Sequence, residues 1–132
     1  MKKILLLGLL AILTAGAGVP DFEIETRVRV INEKTVEVIV QVDNNTMLTV
    51  AALEGFVTIL DGELRRVDDQ RLVLLKPYEK NVAPNERITR SLNFPYDPRV
   101  SRSYKFHIAK IQFTGDYRIY TWHPAGGLIR ID

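Results

Sequence analysis

The chain has 132 residues, 46% hydrophobic and 26% charged, with eight Gly, six Pro and no Cys. These figures describe one globular domain and exclude collagen-like, disordered and disulfide-stapled chains. The formal net charge of +2 rests on Lys2 and Lys3, without which sixteen basic residues face sixteen acidic ones. That balance argues against a nucleic-acid partner, whose phosphates require a cationic excess or a concentrated basic stripe.

The N-terminus is ordered like a secretory leader. Lys2-Lys3 is followed by an apolar run from Ile4 to Leu13 and by the small residues Thr14-Ala15-Gly16-Ala17-Gly18. Ala15-x-Ala17 is an A-x-A cleavage site, so residues 1–17 are expected to be a signal peptide and residues 18–132 the mature domain. The apolar stretch from Ile4 to Val19 is only 16 residues long and holds three glycines, short of the ~17–25 that a spanning helix needs. A membrane contact is expected only if the leader is left uncleaved. The expected location is therefore periplasmic or secreted, and lipoprotein anchoring is excluded for want of a cysteine.

Downstream, the pattern has a period of two. Ile24, Thr26, Val28 and Val30 alternate with Glu23, Glu25, Arg27 and Arg29, which predicts a half-buried strand. After Asn32-Glu33-Lys34 the alternation resumes as Val36, Val38, Val40 and Val42, which predicts the second arm of an antiparallel hairpin. Thr46 to Leu53 is ambiguous between a strand and a helical turn at Ala51-Ala52-Leu53. Gly55, Asp61-Gly62, Asp68-Asp69, Lys76-Pro77, Ala83-Pro84-Asn85, Asp97-Pro98, Gly115-Asp116 and Pro124 to Gly127 then punctuate the chain. The runs between them are Phe56 to Leu60, Leu72 to Leu75, Arg87 to Phe94, Ser103 to Phe113, Tyr117 to Trp122 and Leu128 to Ile131. In Tyr104 to Phe113 the apolar phase switches between Ile108 and Ile111, which predicts a bulge near Ala109-Lys110. Short strands at this spacing point to an all-β, immunoglobulin-like or fibronectin type III-like antiparallel sandwich of about seven to nine strands.

The polar residues offer little chemistry. None of the three serines, Ser91, Ser101 and Ser103, lies in a G-x-S-x-G elbow, and thiol catalysis is impossible without cysteine. His107 and His123 lie 16 positions apart without a close second histidine, unlike a zinc pair. Asp61, Glu63, Asp68 and Asp69 cluster, yet not at the spacing of a calcium loop. Arg65, Arg66, Arg71, Arg87, Arg90, Arg99 and Arg102 are interleaved with acids and read as a mixed-charge surface. Asn44-Asn45-Thr46 is formally a glycosylation sequon and reads more simply as a turn. No catalytic residue, metal or cofactor is expected, and the protein is not expected to be an enzyme.

The stretch Val38-x-Val40-x-Val42-x-Asn44-Asn45-Thr46, then Leu48-x-Val50 and Val57-x-Ile59-Leu60-Asp61-Gly62, resembles the first half of the water-stress and hypersensitive-response domain of the type 2 late-embryogenesis-abundant proteins. Val82-x-Pro84-Asn85-Glu86 before Ile88-x-Arg90-x-Leu92-x-Phe94 resembles a strand entry of that family and of extracellular immunoglobulin-like accessory domains. Asn44-Asn45 stands where the family usually has Asn-Pro. The resemblance implies a sandwich with no catalytic site and a protective role under desiccation or other stress.

The leading expectation is an exported, non-enzymatic protein that binds or scaffolds a protein partner in the cell envelope through an exposed sheet edge. The alternatives are a stress protectant and a small protease inhibitor using the stiff loop Pro95-Tyr96-Asp97-Pro98-Arg99. Arg118, Tyr120, Trp122 and His123 form the candidate interaction surface, since Trp, Tyr and Arg dominate interface energetics. Trp122 fits a sandwich core equally well. Leu128, Ile129, Arg130 and Ile131 form the candidate edge strand.

Overall fold

The computed structural model describes residues 19–132; the leader and the expected cleavage after Ala17 lie outside the described residues. Among those described there is no helix, and the chain forms eight strands: β1 (Phe22–Asn32), β2 (Thr35–Asn44), β3 (Val50–Leu60), β4 (Arg66–Leu75), β5 (Arg87–Pro95), β6 (Ser103–Phe113), β7 (Tyr120–His123) and β8 (Gly127–Arg130). They make two antiparallel sheets, one of three strands in the order β1-β2-β5 and one of five in the order β4-β3-β6-β7-β8.

The hairpin legible in the alternation is present, with Ile24 opposite Val42 and Val28 opposite Val38. Val36, Val38, Val40 and Val42 are all buried, and they meet Leu53 and Val57 of β3 and Phe106, Ile108, Ile111 and Phe113 of β6 in one shared core. β-Branched side chains on one face of a pleated strand supply that apolar layer at little rotamer cost.

Two punctuation marks turn out to lie inside strands. β3 runs without a break through Gly55, and Asp68-Asp69 lies inside β4. Gly55 is needed where the sheet crowds, because a Cβ there would overlap the His107 carbonyl oxygen of β6. Asp61-Gly62 is not a two-residue hairpin turn: the loop extends to Arg65, with Asp61 accepting the N–H groups of Glu63 and Arg65 at 2.9 Å each and Leu64 left-handed at φ 62°. The ambiguous stretch resolves into a loop up to Thr49 and strand from Val50.

The bulge in β6 is where the phase switch puts it. Glu54 pairs with Lys110 and Gly55 with Ile108, so Ala109 is the extra residue that returns Ile111 and Phe113 to the core face.

The half-buried reading of β1 holds only for its first half. Phe22 is buried and packs edge-on against Trp122 of β7, with ring centroids 5.6 Å apart. Val28 and Val30, on the same strand face, are 51% and 55% exposed. β7 has four residues and meets β6 in the ladder only at Ile111↔Tyr120, so it underlies the beginning of β1 and leaves the end uncovered.

Candidate functional site

The four residues of the expected interaction patch do not form one surface. Trp122 is 5% exposed and belongs to the core, where its ring edge meets Phe22. Tyr120 shares its strand face and packs on Phe113 at 5.7 Å, with its hydroxyl donating to Asp116 Oδ2 at 3.0 Å. Arg118 is exposed and closes the β6–β7 turn, its backbone N–H donating to Asp116 Oδ1 at 2.9 Å. That N–H, before the Tyr120 hydroxyl, holds the Asp116 carboxyl below its usual range. His123 is exposed at the end of β7, opposite Gly127. Two aromatics two residues apart on a strand share a face, and here that face is the inner one.

The candidate edge strand lies at the edge of the five-stranded sheet as β8. Leu128 packs against the core, Ile129 and Ile131 are exposed, Arg130 Nε pairs with Asp132 at 3.1 Å, and Ile131 continues the pairing by donating its N–H to Ile119 O at 2.9 Å.

Most members of the acidic and basic clusters are spent on one another. Arg65 pairs with Asp61 and Glu63, Arg66 with Asp69, Arg71 with Glu54, Arg87 with Asp43, Arg90 with Glu79 and Arg99 with Asp97. Among the described residues no group of three His, Asp or Glu side chains is placed to hold a metal ion. Asn44, the sequon asparagine, is 1% exposed and hydrogen-bonded on both sides of its amide, so it is a structural staple.

The feature that the sequence did not flag lies at the end of the molecule where β1, β3 and β5 finish. The two sheets part there around a cleft of about 660 Å³. Val28 and Val30 wall it from β1, Val67 from β4, Tyr96 and Val100 from the β5–β6 loop, and Tyr104 from β6. Tyr104 stacks obliquely on buried Phe94 at 5.3 Å, and burial pushes its phenol up. The loop over the cleft is pinned: Tyr96 N–H donates to Lys34 O at 2.8 Å, and Asp97 accepts from both the Arg99 backbone N–H and Nε at 3.0 Å. The Arg99 side chain, and its N–H after it, holds the Asp97 carboxyl below the usual range. The arginine of the supposed inhibitory loop is thus folded back onto its own loop.

The result is an apolar trough with an ion-paired rim. Alternation in β1 identifies its apolar face, but whether anything lies beneath that face depends on the lengths of β7 and β8. Val67 and Val100 carried no signal at all, being single valines among charges. No family model matches the chain, and no curated protein matches it.

Proposed function

We propose that the protein is an exported, non-enzymatic β-sandwich module of the fibronectin type III kind that binds an apolar segment of a protein partner in the cell envelope. The cleft carries this reading: a preformed, largely apolar concavity, rimmed by polar groups, is the usual form of a binding site. Its exposed valines have no other described neighbour to cover them, and Asp97 at its rim is tied to Arg99. The fibronectin type III kind is supported by the strand order, three strands β1-β2-β5 against β4-β3-β6-β7 with β8 added at the edge, and export by the leader pattern of residues 1–17.

The test is a photo-crosslinking residue at Val67 in cells, with Thr89, on the outer face of β5, as the control position. One adduct specific to position 67, abolished by Val100→Asp in the same chain, is the expected result. The same adducts from position 89, or none from 67, overturn the reading in favour of a protectant without a fixed partner.

A further inference from the structure

The two sheets present four edges, and three of them are blunted. β5 carries an inward-facing Arg90, in phase with Ile88 and Leu92, which turns out of the core to Glu79 at 3.2 Å. β4 is broken by register shifts at both Leu53/Glu54 and Ile59/Leu60 of its partner β3, and β8 has four residues. Inward charges, bulges and shortness are the ordinary protections of a sheet edge.

β1 has none of these along its first nine residues. From Phe22 to Val30 it pairs with β2 in unbroken register, its inward positions are Phe22, Ile24, Thr26, Val28 and Val30, and no described strand lies on its other side. Its outer face reads Glu23, Glu25, Arg27, Arg29, acids first and bases last. A run of one sign would repel a second copy; this order is complementary to itself when reversed. Arg27 also lacks an acid across the hairpin, where it meets Ile39, and reaches back along its own strand to Glu25 at 3.8 Å.

We propose that two copies of this chain associate by antiparallel pairing of β1 with β1 about a two-fold axis at Thr26, joining the three-stranded sheets into one of six. In that register Glu25 faces Arg27 and Glu23 faces Arg29 of the other copy, twice over. Shifting by two residues in total register brings Glu25 against Glu25 or Arg27 against Arg27, so the charges select a single alignment. On the inner face, the exposed Val28 and Val30 of each copy come beside Ile24 and Phe22 of the other. β5 packs near β4 and β1 near β6, so the five-stranded sheet carries β8 beyond β1, and a strand added there has the apolar Leu128 beneath it. The interface is isologous. It shares Val28 and Val30 with the cleft, but the charges that set its register, Glu23, Glu25, Arg27 and Arg29, lie on the other face of β1 and are no part of the cleft lining.

Pairing of one strand is a small contact, so dissociation on the order of micromolar is expected. Sedimentation of the purified protein over a concentration series should show a monomer–dimer equilibrium. Glu23→Lys/Glu25→Lys and Arg27→Glu/Arg29→Glu, each folded by circular dichroism, should both be monomeric at ten times the wild-type dissociation constant, and mixing the two should restore a dimer. Thr26→Cys, in a chain without other cysteines, should form a disulfide dimer on mild oxidation, whereas Val30→Cys should not. A wild type that stays monomeric at millimolar concentration, a dimer that survives both charge reversals, or a mixture that fails to reassociate overturns the proposal.

Discussion

Asn44 closes the end of the molecule opposite the cleft, and its replacement has a cost that can be worked out bond by bond. Its Nδ2 donates to Leu48 O at 2.8 Å and Val82 O at 3.2 Å, and its Oδ1 accepts from the Thr46 N–H at 3.0 Å and the Thr46 hydroxyl at 2.6 Å. In Asn44→Ala, Val82 O keeps the Val50 N–H at 2.8 Å, and the freed Thr46 hydroxyl already lies 3.0 Å from Leu48 O. The buried Thr46 N–H is left with no acceptor. At about 1 kcal/mol net per hydrogen bond and about 1–3 kcal/mol for an orphaned donor, the loss should be about 2–4 kcal/mol. Asn44→Asp has the same shape but sets a carboxylate oxygen against two carbonyls. Its folded pKa is therefore raised above the unfolded value of about 3.9, so the added destabilisation is absent below that value and fully present above the folded pKa. Urea unfolding followed by the fluorescence of the single tryptophan, Trp122, at neutral pH and near pH 4, measures both variants. An alanine variant within about 0.5 kcal/mol of wild type, or an aspartate variant that gains nothing on Asn44→Ala as pH falls, refutes the staple.

Trp122→Ala should cost about 3–5 kcal/mol in the same assay, and Trp122→Phe, which keeps a ring against Phe22, markedly less; a near-neutral alanine variant would return Trp122 to the surface. Gly55→Ala places a methyl into the His107 carbonyl oxygen and within 2.7 Å of the Phe106 ring, so it should cost more than the ~1–3 kcal/mol of ordinary overpacking, and a variant that unfolds at the wild-type midpoint contradicts the β3–β6 register. Asp61, Asp97 and Asp116 are held below their ordinary 3.8 and Glu54, by the hydrogen bond from Arg71, below its ordinary 4.5. Because these folded values are depressed, their contribution is present above the ordinary values and is lost as pH falls through the folded ones. Unfolding midpoints should hold from neutrality down to about pH 5 and decline below about pH 4, and Arg71→Gln should move Glu54 back toward 4.5 in an NMR titration; a flat acid limb or an unmoved Glu54 rejects this account.

Much of the fold is local and was therefore legible. The alternation of four valines from Val36 to Val42 names a strand and its buried face because a strand's side-chain period is two, and the phase switch after Ile108 names a bulge because an extra residue is what resets that period. Gly55 misled, since glycine marks both turns and close approaches, and only the neighbouring carbonyl distinguishes the two. Trp122 could not be assigned from its strand alone, because its burial comes from Phe22, a hundred residues earlier in the chain.

The sequence by itself determined the β class, the β1–β2 hairpin and the order of charges along β1, all of which follow from spacing within a few residues. Tertiary structure alone decided that Val28 and Val30 stand uncovered, that Val67, Tyr96, Val100 and Tyr104 join them around a cleft, and that most of the arginines are paired with acids. Those outcomes depend on which strand lies across the core and on how far it extends. Such pairings join distant parts of the chain, and no local periodicity records them.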